Sequence, residues 1–273
     1  MSTTPVLNGN LIRSGLRSIS LAVSLAEVAA SFSMEYLRLG GARALTVPER
    51  ACWLQDAAQT VLKRIGVDVV TEGVPPRQGL LVSNHLSYLD VLAYASTMPC
   101  SFVAKREVRG WPVFGGFATM AGTIYVDRER HAANCGPAAL MEEALRAGVT
   151  VVLFPEGTSS DGREVRRFHS GFFEPAIRAD ATVTAAAIGY SSHTAEEATI
   201  AYHGEDVFGT HLVRTLGHTK LGARLGFSTA RRYPDRKEAA RVTQVEVERL
   251  RGAVAGRSAI ETAAELRPLT QAR

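Results

Sequence analysis

Short apolar runs alternate with helical stretches along most of this 273-residue chain, and that alternation constrains the fold more than any other feature. The runs at 67–70, 80–82, 101–104, 123–126, 150–154 and 183–188 each have the length of a strand. Residues 48–66, 88–97, 137–147 and 171–179 read as helices. In the first of these, Pro48 opens a pattern that puts Ala51, Leu54, Ala58, Val61, Leu62 and Ile65 on one face, and Gly66 stops it. Strands alternating with helices dictate an α/β fold, a mixed, mostly parallel sheet flanked by helices. Residues 198–203 and 221–227 are expected to add strands at a sheet edge, and residues 235–251 a charged amphipathic helix with Asp235 as its N-cap.

The length suits one large domain, placed at 48–256, with an N-terminal helical segment at 1–47 and an Ala-rich, polar tail at 257–273. A net charge of +4, carried mostly by Arg, suits anionic partners. Cys52, Cys100 and Cys135 show no CxxC or ligand spacing, and the remaining histidines, His131, His169, His193, His203, His211 and His218, are scattered. Neither a disulfide framework nor a metal site is expected, and a reducing, cytoplasmic setting fits.

Residues 11–39 are apolar but interrupted by Arg13, Arg17, Glu27, Glu35 and Arg38. A spanning helix needs about 18–20 nearly uncharged residues, and the longest uncharged run, 18–26, falls short. Leu16, Ile19, Val23, Ala26 and Ala30 recur at helical spacing. Two readings fit: an interfacial helix with Arg13 and Arg17 near anionic headgroups, or a helix packed on the protein's own core.

Two short motifs carry chemistry. Residues 82–90 follow an apolar run with Asn84-His85, and Asp90 comes five residues after the histidine. At a strand-to-helix turn, that spacing lets a carboxylate fix the tautomer of an imidazole whose other nitrogen faces a substrate. The plainer reading is a capping box, Ser87 to Asp90, beside an ordinary loop histidine. The second motif ends a buried-strand pattern with Phe154-Pro155-Glu156-Gly157-Thr158, where Gly157 permits close backbone approach and Thr158, Ser159 and Ser160 offer hydroxyls and amides to an anion. No GxSxG elbow and no phosphate-binding GxxxxGK[ST] loop occurs.

Taken together these stretches resemble the glycerolipid acyltransferase family. Residues 84–90 are similar to its NHxxxxD signature and residues 154–158 to its FPEGT signature; Lys105, Trp111-Pro112, Gly115 and residues 122–128 resemble the block between them. The resemblance implies transfer of a fatty acyl chain from acyl-CoA or acyl carrier protein to a lysolipid hydroxyl, with 1-acyl-sn-glycerol 3-phosphate as the leading acceptor and phosphatidic acid as product. It implies His85 as general base and Asp90 as its partner, with Asn84, Lys105, Arg128, Glu156, Gly157, Thr158 and Ser159 binding substrate. No cofactor beyond the acyl donor, no metal and no nucleic acid are implied. The expected setting is the cytoplasmic face of the cell membrane, held peripherally. One departure bears on the acceptor: family members acting on phosphatidic-acid precursors usually carry Arg after the Thr, and this chain has Ser159, with Arg163, Arg166 and Arg167 following. That variant is similar to lyso-ornithine lipid acyltransferases, whose acceptor has no phosphate. Two other readings stay open: a catalytically silent lipid-binding protein, and a thioesterase in which the same histidine activates water.

Overall fold

The computed structural model describes residues 5–38, 45–126 and 136–255. Among these residues lie seven strands: β1 (Val67–Glu72), β2 (Gly79–Ser83), β3 (Cys100–Lys105), β4 (Ile124–Val126), β5 (Thr150–Leu153), β6 (Val183–Ser191) and β7 (Leu221–Phe227). The helices are α1 (Pro5–Arg38), α2 (Val47–Ile65), α3 (Leu89–Thr97), α4 (Phe114–Met120), α5 (Gly136–Arg146), α6 (Glu174–Arg178), α7 (Glu197–Ile200), α8 (Phe208–Leu216) and α9 (Arg236–Val254).

The strands form one sheet in the order β1-β7-β6-β2-β5-β3-β4. Strands β2 to β6 are mutually parallel, β7 runs antiparallel to β6, and β1 runs parallel to β7. Both faces are covered, as a parallel sheet requires. Helices α2 and α3 pack over Leu81, Val152 and Ile188, while α5, α6 and α9 pack over Leu80, Val82 and Val151. Alternate residues of the central strand β2 thus feed opposite cores, and all five of its residues are buried.

Local chemistry explains the helix ends. Thr46 and Glu49 form a complete capping box at α2, with Thr46 N donating to Glu49 Oε2 at 2.7 Å. At its other end Gly66 takes φ 69°, a left-handed position that only glycine adopts freely. Space is also scarce there, because a Cβ at Gly66 would sit 2.8 Å from the Arg17 guanidinium. Asp235 caps α9 as expected, accepting from the N–H groups of Lys237 and Glu238.

Two elements differ from the sequence expectations. Residues 198–203 form no strand; α7 extends to Ile200, Ala201 N donates to Glu197 O at 2.9 Å to close its turn, and Tyr202 N donates to Leu86 O at 2.8 Å, so these amides are not left for a sheet ladder. Strand β7 is not at the edge but lies between β1 and β6, with all seven residues buried. Its mid-strand Arg224 is 2% exposed, and its guanidinium pairs with Glu72 on β1 at 2.5 Å. The edge on that side is β1, in which only Val67 is buried.

Helix α1 packs against α2 and α8. Ser14, Leu21, Ser24 and Val28 are buried, while Ile12, Leu16, Ile19, Val23, Met34 and Leu37 on the opposite side are exposed. The stripe read from spacing is therefore the outward one. Arg13 and Arg17 turn inward, as in the second of the two readings and not toward headgroups: Arg13 Nη1 donates to Gly217 O at 2.8 Å, and Arg17 Nη1 to Leu216 O at 3.2 Å and His218 O at 2.6 Å. These carbonyls close the C-terminal end of α8, where the helix dipole is negative. By length and composition Leu11–Arg38 is apolar enough to cross a membrane, with a mean hydropathy of 1.3 despite its charged residues. The inward arginines tie its first half along the domain.

Candidate active site

Strands β2 and β5 are neighbours with Val82 opposite Leu153, so both chains leave the sheet at the same end. That register brings together two motifs separated by about 70 residues. The site lies at the carboxyl ends of parallel strands, where open α/β sheets place their ligands.

The His85 ring is set from three sides. Its Nδ1 lies 2.7 Å from Asp90 Oδ2. A carboxylate accepts, so Nδ1 carries the proton and Nε2 keeps its lone pair. One face of the ring stacks on Phe154, with centroids 4.1 Å apart and planes 12° from parallel. The main chain is fixed by the second motif: His85 N donates to Glu156 Oε1 at 3.0 Å, and Ser160 N donates to His85 O at 3.0 Å. The histidine side chain remains 22% exposed, while Asp90 is fully buried.

Asp90 is paired throughout. Besides the histidine, its Oδ2 accepts from Leu86 N at 2.7 Å and Ser87 N at 3.1 Å, and its Oδ1 accepts from the Tyr190 hydroxyl at 2.7 Å. Half of the capping box is present, since Asp90 reaches back to Ser87 N; the Ser87 hydroxyl meets Leu89 N at 3.4 Å instead of completing the pair. The functional and the capping readings of residues 85–90 therefore coexist.

A cavity of about 280 Å³ opens beside the ring. His85, Lys105, Gly157, Thr158 and Ser159 all line it, so five of the residues singled out from sequence meet at one cavity. The rest of its lining is mostly apolar, including Val91, Phe102, Trp111, Phe154, Phe172 and Tyr202. Gly157 takes φ 75°, which turns the chain back past the histidine. The Ser159 hydroxyl donates to Tyr202 O, joining the second motif to the cavity wall.

Other expected residues stand elsewhere. Asn84 is 2% exposed and faces β6, where Oδ1 accepts from Ile188 N at 2.9 Å and Nδ2 donates to Ile188 O at 3.1 Å. Glu156 is 4% exposed and lies behind the cavity wall; its second oxygen accepts from Arg166 N at 3.1 Å. Burial pushes the Glu156 carboxyl up to about 7, against the pull of the two amides it accepts from and of the nearby His85 and Arg166 charges. Arg128 lies outside the described residues. Arg163 pairs with Asp161 at 3.4 Å and is 83% exposed, and neither it, Arg166 nor Arg167 lines the cavity. Tyr190 and the stacking role of Phe154 were not foreseen. An aromatic ending an apolar strand is the one sequence signal Tyr190 offers.

Comparison with known proteins agrees with this geometry. The Acyltransferase family matches residues 66–189. The chain is 34% identical over 154 residues to a lyso-ornithine lipid O-acyltransferase of Pseudomonas aeruginosa, covering 55% of this chain and 58% of that one. It is 32% identical over 164 residues to a 1-acyl-sn-glycerol-3-phosphate acyltransferase of Neisseria meningitidis, covering 60% and 64%. These matches span less than two thirds of either relative. The crystal structure of the 1-acyl-sn-glycerophosphate acyltransferase PlsC from Thermotoga maritima shares the fold, with a TM-score of 0.61 at 18% identity over 88% of this chain and 97% of that one. Both motifs lie inside residues 66–189, the stretch that resembles the Acyltransferase family, and they are joined there through the His85 main chain.

Proposed function

We propose that the protein is an O-acyltransferase that moves a fatty acyl chain from a thioester donor, acyl-CoA or acyl carrier protein, to the free hydroxyl of a lysolipid. The observation that carries this reading is the His85 ring, oriented by a fully buried carboxylate and set against an apolar cavity. His85 Nε2 takes the proton of the acceptor hydroxyl as its oxygen attacks the thioester carbonyl. Asp90 stabilises the imidazolium. Collapse of the tetrahedral intermediate breaks the C–S bond, and the departing thiolate takes the proton from His85 to leave a thiol and an ester. No covalent acyl-enzyme is needed. The apolar lining suits an acyl chain, while Gly157, Thr158, Ser159 and Lys105, which line the same cavity, would hold polar groups of the two substrates.

For the acceptor, 1-acyl-sn-glycerol 3-phosphate is the leading candidate, supported by the relatives named for it. A lyso-ornithine lipid is favoured by one observation: Ser159 stands after the second motif and spends its hydroxyl on Tyr202 O, so it offers no charge to a phosphate. The outward apolar stripe of α1 would lie on the cytoplasmic face of the membrane, from which both lipids enter.

The test is a purified protein given one acyl-CoA and a panel of lysolipids with and without phosphate, with release of free thiol and formation of diacyl lipid both measured. Thiol release that depends on a lysolipid, and that His85→Ala abolishes in a folded variant, is the expected result. Release without any acceptor would instead make the protein a thioesterase, and no turnover with any acceptor, on CoA or carrier protein, a lipid-binding one.

A further inference from the structure

The Asp90 carboxylate has one partner that neither motif supplies. Its Oδ2 is taken up by its own loop, through His85 Nδ1, Leu86 N and Ser87 N. Its Oδ1 receives the hydroxyl of Tyr190, 100 residues further along the chain, at 2.7 Å. Tyr190 lies on β6, 1% exposed, one residue beyond the stretch that matches the family. Burial and the neighbouring Asp90 charge push its phenol well above its ordinary range, so the hydroxyl stays protonated and stays a donor.

The backbone of Tyr190 is held as firmly as its ring. Tyr190 N donates to Glu197 Oε1 at 2.6 Å, and Glu197 pairs with Arg251 of α9, whose Nη2 also donates to Gly162 O at 3.1 Å. The end of β6, α7, α9 and the loop after the second motif thus meet behind the His85–Asp90 pair. A side chain anchored this way can define one position for the carboxylate it touches.

We propose that Tyr190 is a positioning residue for the proton transfer, its hydroxyl fixing Asp90 in the rotamer that receives His85 Nδ1 and drawing off part of the charge that faces the imidazolium. The kinetic consequence rests on the acyl-transfer reading; the geometry does not. Other ionisable groups near the pair are Glu156, on the His85 main chain; Tyr94, one turn along α3 and bonded to Ser83 at 2.6 Å; and Tyr88 and Lys105, which line the cavity. None of them touches Oδ1 among the bonds of the described residues.

Two variants move the donor in opposite directions. Tyr190→Phe removes it with the ring kept; site-specific incorporation of 3,5-difluorotyrosine at 190 keeps the shape and makes it a stronger donor. The readout that needs no turnover is NMR titration of the His85 ring protons, assigned by their loss in His85→Gln. Without the hydroxyl, Asp90 concentrates more charge on the imidazolium, so the titration midpoint moves up by about 0.5–1 pH unit; with the fluorinated ring it moves down. In turnover, the acid limb of the kcat/KM profile for Tyr190→Phe moves the same way, kcat falls roughly tenfold and the KM values stay in place.

A midpoint that stays put in both proteins would overturn the proposal. So would a loss of kcat in Tyr190→Phe that tracks loss of folded protein with no shift in the profile. If Tyr190→Phe does not fold, the fluorinated protein decides by its midpoint alone. Absence of acyl transfer by the wild type would sink the functional reading instead, and the histidine titration would still decide the role of Tyr190.

Discussion

The backbone N–H of His85 donates to the Glu156 carboxylate at 3.0 Å, so the acid of the second motif holds the main chain of the first. Its other oxygen holds Arg166 N, and both acceptors are in use. Glutamine at this place has one acceptor and would turn its NH₂ toward an N–H. Glu156→Gln is therefore expected to lose about 1–3 kcal/mol of stability and to lower kcat by loosening the histidine, read by urea unfolding and by turnover.

The same carboxyl gives a pH signature. Burial raises it in the folded protein to about 7, from an ordinary value of 4.5. The folded state then binds the proton more tightly than the unfolded one. This contribution is fully present below about pH 4.5 and is lost as pH rises through about 7, amounting to roughly 3 kcal/mol. Unfolding free energies of the wild type and Glu156→Gln, measured from pH 4 to 8, should show their difference changing across that window. A constant difference would mean that the carboxyl titrates alike in both states.

Asn84 was read as a substrate ligand and stands with its amide on the Ile188 backbone. Replacing it with leucine leaves a buried N–H and C=O of β6 without these bonds. Asn84→Leu is expected to cost about 2–4 kcal/mol in urea unfolding, with the KM values unchanged in the protein that folds. A raised KM at unaltered stability would return Asn84 to the substrate.

Arg17 joins α1 to the end of α8 through two carbonyls, those of Leu216 and His218. Arg17→Met keeps the aliphatic stem and removes the donors. A drop in Tm of roughly 5 °C is expected by calorimetry. Melting at the wild-type temperature would show that apolar contacts alone hold the helix.

How much of this was legible follows the distance over which each contact runs. The His85–Asp90 pair spans five residues of one loop, and spacing exposes it. Tyr190 reaches Asp90 only because β6 lies beside β2, a fact of sheet order that no local pattern encodes. Strand β7 reads as an edge strand because nothing within it shows that β1 pairs along its far side and that Glu72 there answers the buried Arg224. Helix α1 misleads for a related reason. Its inward face carries serines, and the Ser24 hydroxyl donates to Ser20 O at 2.8 Å within the helix, so a polar residue can be buried there at little cost.

Val113 takes φ 64° and ψ −57° in a tight turn closed by Phe114 N donating to Pro112 O at 2.7 Å. A β-branched residue is strained there. The turn sits between Trp111 and Phe114, both packed on Phe208 with ring centroids 5.0 Å apart. Val113→Gly is expected to raise stability by about 1 kcal/mol, the relief of strain exceeding the added freedom of the unfolded chain. Thermal denaturation checks it, and a lower Tm would contradict it.

The first motif spends three consecutive amides on structure. The amide of His85 goes to Glu156, and those of Leu86 and Ser87 go to Asp90. An oxyanion forming above the imidazole would therefore find none of these three amides free to meet it. In an acyl transfer at this site the negative charge of the intermediate would be met by other groups around the cavity, and the Gly157 amide is not among them, being bonded to Phe154 O at 3.0 Å.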